Sequence, residues 1–270
     1  MREADHQTNF RGRYGPWAAI AGASEGIGAA FAEALARRGL HVLLIARRAE
    51  PLATLEGRLV RAYGVQVRTL PLDLGSTEAA DRVAEATVDL DVGLLVCSAA
   101  VSRVAPFFEV SLADKLAMLD VNCRAPLALV HTLGQRMMAR GRGGVVLVSS
   151  LAGLYGGPYV ATYAASKAFL CLLAESLDVE LGSSGVDVVA CVAGPTRTPT
   201  YQRLASSRLR PMEPATVAEQ TLAALGHKSL VIPGTFNRIS SRLLRLLPRR
   251  WLAKLVAGQT RKMLAPKPPL

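Results

Sequence analysis

The chain has 270 residues, half of them apolar, and a formal net charge of +11. That length suits one α/β domain with a large core, and apolar runs shorter than about 18 residues predict no transmembrane helix. The excess charge is confined to the end: from Arg203 onward there are 13 Lys/Arg and 2 Asp/Glu out of 32 and 21, so Met1–Gln202 holds 19 of each, is neutral and has no nucleic-acid signature.

Met1–Gly15 is polar, lacks the apolar middle of a secretion signal and reads as an N-terminal extension (residues 1–15). Trp17–Ala21 is a short apolar strand leading into Gly22-Ala23-Ser24-Glu25-Gly26-Ile27-Gly28 and then a helical pattern with Phe31, Leu35 and Ala36 on one side. Strand, glycine turn, helix is the context in which such glycines let a backbone approach a pyrophosphate, with the helix N-terminus supplying N–H groups. A plain βα turn is the other reading. His41–Ala46 is a buried strand ending in Ala46-Arg47-Arg48. An acid that would hold a ribose 2′-hydroxyl is missing there. Guanidinium groups suit a 2′-phosphate instead, so Arg47 and Arg48 predict NADP over NAD; a solvated helix start with incidental arginines is the alternative. Glu25 in the glycine turn argues mildly against a phosphate.

The βα pattern then repeats: helix Pro51–Tyr63, strand Val65–Leu72 ending in Asp73, helix Thr77–Thr87, strand Val92–Ser98, helices Leu112–Asn122 and Arg124–Arg140, and strand Gly144–Ser149. Helix Tyr159–Leu181, strand Val186–Val192, helix Pro214–Leu225 and strand Ser229–Ile232 complete it. Strands separated by helical patterns imply a parallel sheet. The loop Ala193–Thr200 leaves a strand end and is polar enough to cover a ligand, and Tyr201–Pro211 continues it as a candidate lid. Cys97, Cys123, Cys171 and Cys191 have neither CxxC nor metal-ligand spacing; they read as buried thiols in a reducing, cytoplasmic compartment, with no metal site.

Tyr163 and Lys167 stand four residues apart, one helical turn, on one face. An ammonium beside a phenol is expected to pull its pKa below the usual value of about 10. Ser150 lies at the end of Val145-Val146-Leu147-Val148, where an α/β sheet places reacting groups. A hydroxyl, a phenol and a lysine together suit proton transfer to a carbonyl oxygen. Taken alone, such a pair is mostly an ordinary surface Tyr–Lys pair on a helix.

Together these residues resemble the short-chain dehydrogenase/reductases, over about Trp17 to Gly234: Gly22, Gly26 and Gly28, then Asp73, Asn122, Ser150, Tyr163, Lys167 and the Gly194–Thr198 loop stand in the family's order. The resemblance implies a Rossmann-like, doubly wound parallel sheet of about seven strands across residues 16–235, NADP(H) as cofactor, and a homodimer or homotetramer. It implies a catalytic set of Asn122, Ser150, Tyr163 and Lys167. Tyr163 is then the general acid in reduction, Lys167 holds the nicotinamide ribose, Ser150 orients the substrate oxygen, and Asn122 anchors a water that relays protons. Cofactor contacts are implied at Gly22, Ser24, Gly26, Ile27, Gly28, Arg47, Arg48, Asp73, Leu74, Ser98, Ala99, Tyr163, Lys167, Gly194, Thr196 and Thr198. Three departures matter: Cys97-Ser98-Ala99-Ala100 replaces the family's Asn-Asn-Ala-Gly, and Ala100 adds a Cβ near the cofactor; Ala193 stands where a proline is common; and Ala21 replaces a threonine common before Gly22, losing one side-chain hydrogen bond. A fold retained for cofactor sensing or scaffolding is the rival to an enzyme.

Phe236–Leu270 interleaves Ile239, Leu243, Leu244, Leu247, Trp251, Leu255 and Val256 with arginines and lysines, and Pro248 divides it into two short helices. Such helices lie on an anionic membrane surface or pack on their own domain or a partner subunit. The tail resembles that of ketoacyl and hydroxysteroid reductases in the family, which implies a hydrophobic ketone, alcohol or acyl substrate.

Overall fold

The computed structural model describes residues 10–204 and 211–264. Seven parallel strands form one sheet in the order β3-β2-β1-β4-β5-β6-β7: β1 Trp17–Ala21, β2 His41–Ala46, β3 Val67–Pro71, β4 Val92–Cys97, β5 Gly143–Ser150, β6 Val186–Ala193 and β7 Leu230–Val231. The central strands are near-continuous apolar runs because helices cover both faces of the sheet. All five residues of β1 and all six of β4 are buried. The edges are handled differently. β3 has no fully buried residue, and β7 has two residues, too short to template another strand.

The helices are α1 Gly26–Arg37, α2 Ala49–Tyr63, α3 Ala79–Ala86, α4 Leu112–Leu119, α5 Ala125–Ala139, α6 Ala161–Gly182, α7 Pro199–Leu204, α8 Pro214–Leu222, α9 Thr235–Leu244 and α10 Arg249–Leu264. One apolar cluster, with Phe31, Leu35, Leu44, Val146 and Val217, fills one face of the sheet; Leu43, Leu95, Leu129, Leu147 and Leu170 belong to the other. Tyr14, just before β1, is part of the first cluster, and its hydroxyl donates to Asp187 at 2.6 Å.

Two predicted helices prove to be one kinked unit. α4 starts at Ser111, whose Oγ accepts from the Asp114 amide at 3.0 Å, and runs through a π turn, Asp120–Arg124, straight into α5. Pro126 supplies the reason: it has no N–H for the Asn122 carbonyl four residues back, and its ring crowds that carbonyl, so the ladder widens there. Most other boundaries shift by one or two residues, and the helix expected over Pro214–Leu225 ends three residues early, at Leu222. The strand expected over 65–72 occupies Val67–Pro71, and the helix expected from Tyr159 begins at Ala161.

Sheet register sets the site. Ala21 pairs with Cys97, Cys97 with Leu147, and Ser150 with Ala193, so the strand ends that precede the glycine turn, the Ser98–Ala100 segment, Ser150 and Gly194 align on one edge. The strand order reverses between β1 and β4, where open α/β sheets leave a crevice for ligands. In the tail, α9 and α10 flank Pro248 as expected. Positions 205–210 of the expected lid, the first nine residues and the last six lie outside the described residues.

Candidate active site

Tyr163, Lys167 and Ser150 converge where α6 crosses the end of β5. The two adjacent serines have different tasks. Ser149 Oγ is buried, donating to the Lys167 carbonyl at 2.7 Å and lying 3.1 Å from Cys171 Sγ. Ser150 Oγ accepts from the Ala152 amide at 3.2 Å and hydrogen-bonds Tyr163. Of the two, Ser150 is the one in contact with the Tyr163 phenol.

Lys167 is 2 % exposed. Its Nζ donates to the Val148 carbonyl at 2.8 Å and lies 5.7 Å from the centre of the Tyr163 ring. Burial lowers its pKa to about 8. The expectation that Lys167 depresses the Tyr163 pKa is corrected here. Burial pushes the phenol up, the Ser150 hydrogen bond pulls it back, and the lysine is turned onto the β5 backbone. All four cysteines are free, and each faces Lys167 closely enough to interact electrostatically. Cys123 is half-buried rather than buried.

Asn122 is fully buried on the π turn. Its Oδ1 accepts from the Val101 amide at 2.8 Å, and its Nδ2 donates to the Val101 carbonyl at 2.9 Å and to Ser166 Oγ at 3.0 Å. Ser166 in turn donates to the Tyr163 carbonyl at 2.8 Å. The sequence singled out Asn122 and missed Ser166, three residues after Tyr163 and one before Lys167. A short hydroxyl in the first turns of a buried helix was the available signal.

The glycine turn is tightly built. Gly22 has φ +91°, and a Cβ there would lie 2.4 Å from the Ala99 amide nitrogen, while a Cβ on Gly28 would lie 2.0 Å from the Gly22 carbonyl. Ser98 and Ala99 amides both bond the Ala21 carbonyl, at 2.8 and 2.9 Å. Thr198 packs on Gly26. Glu25 is the N-cap of α1 and its side chain makes no capping hydrogen bond; a helix N-terminus is where backbone N–H groups meet a pyrophosphate. These features fit a dinucleotide. Ala100 is exposed and outside the left-handed region, so it brings no backbone strain where the family has glycine.

The other expected contacts divide. Asp73 is exposed, with Oδ1 accepting from the Gly75 amide at 2.9 Å. The Leu74 side chain is buried in the core, leaving only its main chain for a ligand. Thr196 is buried, and its hydroxyl bonds the Gly194 carbonyl at 2.9 Å. Arg48 pairs with Glu25 at 2.7 Å, a partnership that the sequence reading set in opposition rather than in contact. Arg47 is exposed and enters no ion pair among the described residues. Beside them an open cleft of about 470 Å³ is walled by Ser24, Ala29, Glu50, Pro51, Thr54 and Arg58.

A hollow of about 20 Å³ is lined by Tyr163 with Arg103, Phe107, Lys115, Met118 and Tyr159. Tyr159 has φ +66°, an uncommon conformation for a bulky residue, and its carbonyl accepts from the Ala105 amide at 2.9 Å. The tail closes in from behind. A Cβ on Gly194 would lie 2.4 Å from Asn237 Nδ2 of α9, and one on Gly156 would lie 3.9 Å from Ala253 of α10.

Comparison with known proteins agrees with this geometry. Residues 16–209 match the family model for short chain dehydrogenases. A 7β-hydroxysteroid dehydrogenase from Clostridium sardiniense is 36% identical over 234 residues, 85% of this chain and 90% of its own. A solved 7β-hydroxysteroid dehydrogenase superposes with a TM-score of 0.87 at 29% identity, covering 92% of this chain and 99% of the other. A short-chain dehydrogenase from Sphingobium yanoikuyae in complex with NADPH gives 0.77 at 26%, covering 94% and 98%. The chain belongs to the short-chain dehydrogenase/reductase family. It is an oxidoreductase acting on CH–OH groups, with a nicotinamide dinucleotide as cofactor. No helix among the described residues is long and apolar enough to cross a membrane.

Proposed function

We propose that this oxidoreductase interconverts a ketone and a secondary alcohol on a bulky hydrophobic substrate of the hydroxysteroid class, using NADP(H). The observation that carries this reading is the convergence of Ser150, Tyr163 and Lys167 at the end of β5, in a chain 85% of which matches a 7β-hydroxysteroid dehydrogenase.

The cofactor supplies or accepts the hydride. The glycine turn and the N-terminus of α1 hold its pyrophosphate, Arg47 and Arg48 its 2′-phosphate, and Lys167 its nicotinamide ribose. Ser150 Oγ donates a hydrogen bond to the substrate oxygen. Tyr163 gives that oxygen its proton in reduction and removes it in oxidation. Burial suits the first task, because it keeps the phenol protonated near neutral pH. Both Asn122 side-chain donors are engaged, so a water held there meets its main-chain carbonyl, which Pro126 deprives of its usual α-helical amide partner. Exposed Leu112, Leu116 and Leu119 on α4, with Leu127 and Met138 on α5, support assembly as a homodimer or homotetramer.

The test is a turnover panel of hydroxysteroids, their ketones and 3-oxoacyl thioesters, each with NADPH or NADH (NADP or NAD for oxidation). Turnover of a steroid pair with NADP(H) is expected. Turnover of acyl thioesters alone would move the substrate class, and equal use of both cofactors would remove the role of Arg47 and Arg48.

A further inference from the structure

The helix α9 buries its polar side. Asn237 and Ser241 face inward, with Ser240 and Leu244 partly buried beside them, while Phe236, Ile239 and Leu243 are 71, 53 and 61 % exposed. At about 100° per residue these three share one arc of about 60°. Leu246, 81 % exposed, and Leu247 extend the apolar surface into the turn before α10. Arg238, Arg242 and Arg245 form a separate exposed arc, followed by Arg249 and Arg250, and none of these forms an ion pair among the described residues. No Asp or Glu occurs after Glu219.

The helix is held in this orientation. Asn237 donates to the Pro233 carbonyl at 3.0 Å and to Met212 Sδ at 3.3 Å, and it packs on Gly194. Rolling the apolar arc inward breaks all three contacts. A fixed apolar arc facing water marks a surface that something covers. A second copy of the same surface is a poor match, because it brings arginine to arginine with no acid to meet them. An anionic lipid interface accepts both arcs: the acyl boundary takes the apolar side chains, and headgroup phosphates take guanidinium groups whose stems lie along the apolar layer.

We infer that α9 and the turn after it dock the protein peripherally on an anionic bilayer surface, with Phe236, Ile239, Leu243 and Leu246 inserted and Arg238, Arg242 and Arg245 on headgroup phosphates. The inference is independent of the cofactor and the substrate. Through Asn237 at Gly194, and through Ala253 of the next helix at Gly156, the docked segment adjoins two walls of the site.

The test is sedimentation of the full chain with phosphatidylcholine vesicles and with vesicles containing about one-third phosphatidylglycerol, at low and high salt. Partition onto the anionic vesicles is expected to exceed that onto neutral ones by at least about tenfold and to fall with salt. Phe236→Ser with Leu243→Ser, and separately Arg238→Gln with Arg242→Gln, should each reduce it by about tenfold with an unchanged circular dichroism spectrum and melting temperature. Absence of sedimentation, equal binding to neutral vesicles, or binding that neither double variant changes would overturn the inference. So would an oligomer that Phe236→Ser with Leu243→Ser dissociates in the absence of lipid, which would make the arc a contact between copies.

Discussion

Lys167 donates its ammonium to the main-chain carbonyl of Val148 at 2.8 Å, inside the protein and away from water. The charge is held there at a cost. Burial lowers its pKa from 10.5 to about 8, so the folded state releases the proton more readily than the unfolded one. Below about pH 8 the penalty is fully present; as pH rises from about 8 to 10.5 the unfolded chain alone remains protonated, and stability from this group increases. Lys167→Met should therefore stabilise the cofactor-free protein at pH 7 by about 1–2 kcal/mol while abolishing turnover. Urea melts of both proteins at pH 7 and 10 check this; the gap should narrow at the higher pH.

The phenol of Tyr163 is raised by burial, with the Ser150 hydrogen bond as a partial counterweight. Ketone reduction should then be flat between about pH 6 and 8, where the acid is protonated, and alcohol oxidation should rise throughout that range and beyond. Initial rates in both directions with a single substrate pair measure it. Ser150→Ala should move the oxidation limb to higher pH, because it removes the group that lowers the phenol's pKa.

Glu25 and Arg48 form an exposed ion pair at 2.7 Å beside the end of β2. A 2′-phosphate that uses Arg48 has to displace that carboxylate. Glu25→Gln should tighten NADPH binding by about three- to tenfold and leave NADH binding within about twofold. Arg47→Ala with Arg48→Ala should remove the preference. Fluorescence titration with each cofactor reads both.

Asn122 clamps the segment after β4 through two hydrogen bonds to Val101 and ties it to α6 through a third to Ser166, in a buried setting. Asn122→Ala should destabilise the protein by about 2–4 kcal/mol, since it leaves the Val101 amide and Ser166 short of partners. Ser166→Ala should cost about 1 kcal/mol and retain the clamp. Equilibrium unfolding in urea separates the two.

The sheet was legible because fully buried parallel strands read as unbroken apolar runs, and Trp17–Ala21 and His41–Ala46 were placed to the residue. The four-residue spacing of Tyr163 and Lys167 carried them to one helix face, and of the two adjacent serines it is Ser150 that hydrogen-bonds Tyr163. What the pattern hid were contacts between distant segments. Local spacing cannot tell that Asn237 packs on Gly194, 43 positions away, or that Lys167 turns from Tyr163 to a strand carbonyl. The π turn was half visible: Pro126 was seen as a helix start, whereas its effect falls on Asn122 before it. The tail was read as two amphipathic helices, but which face α9 buries depends on Asn237 and Met212, and composition says nothing of that.

The central claim is that Tyr163 delivers the proton from a site built at the end of β5. Tyr163→Phe removes one oxygen and keeps the ring. Its single-turnover rate with NADPH and a steroid ketone, set beside a cofactor titration of the same protein, tests the claim most directly. A loss of at least about a thousandfold in rate is expected, with cofactor affinity within about twofold of the parent. A variant that binds cofactor and still reduces the ketone within about tenfold of the parent rate would contradict it.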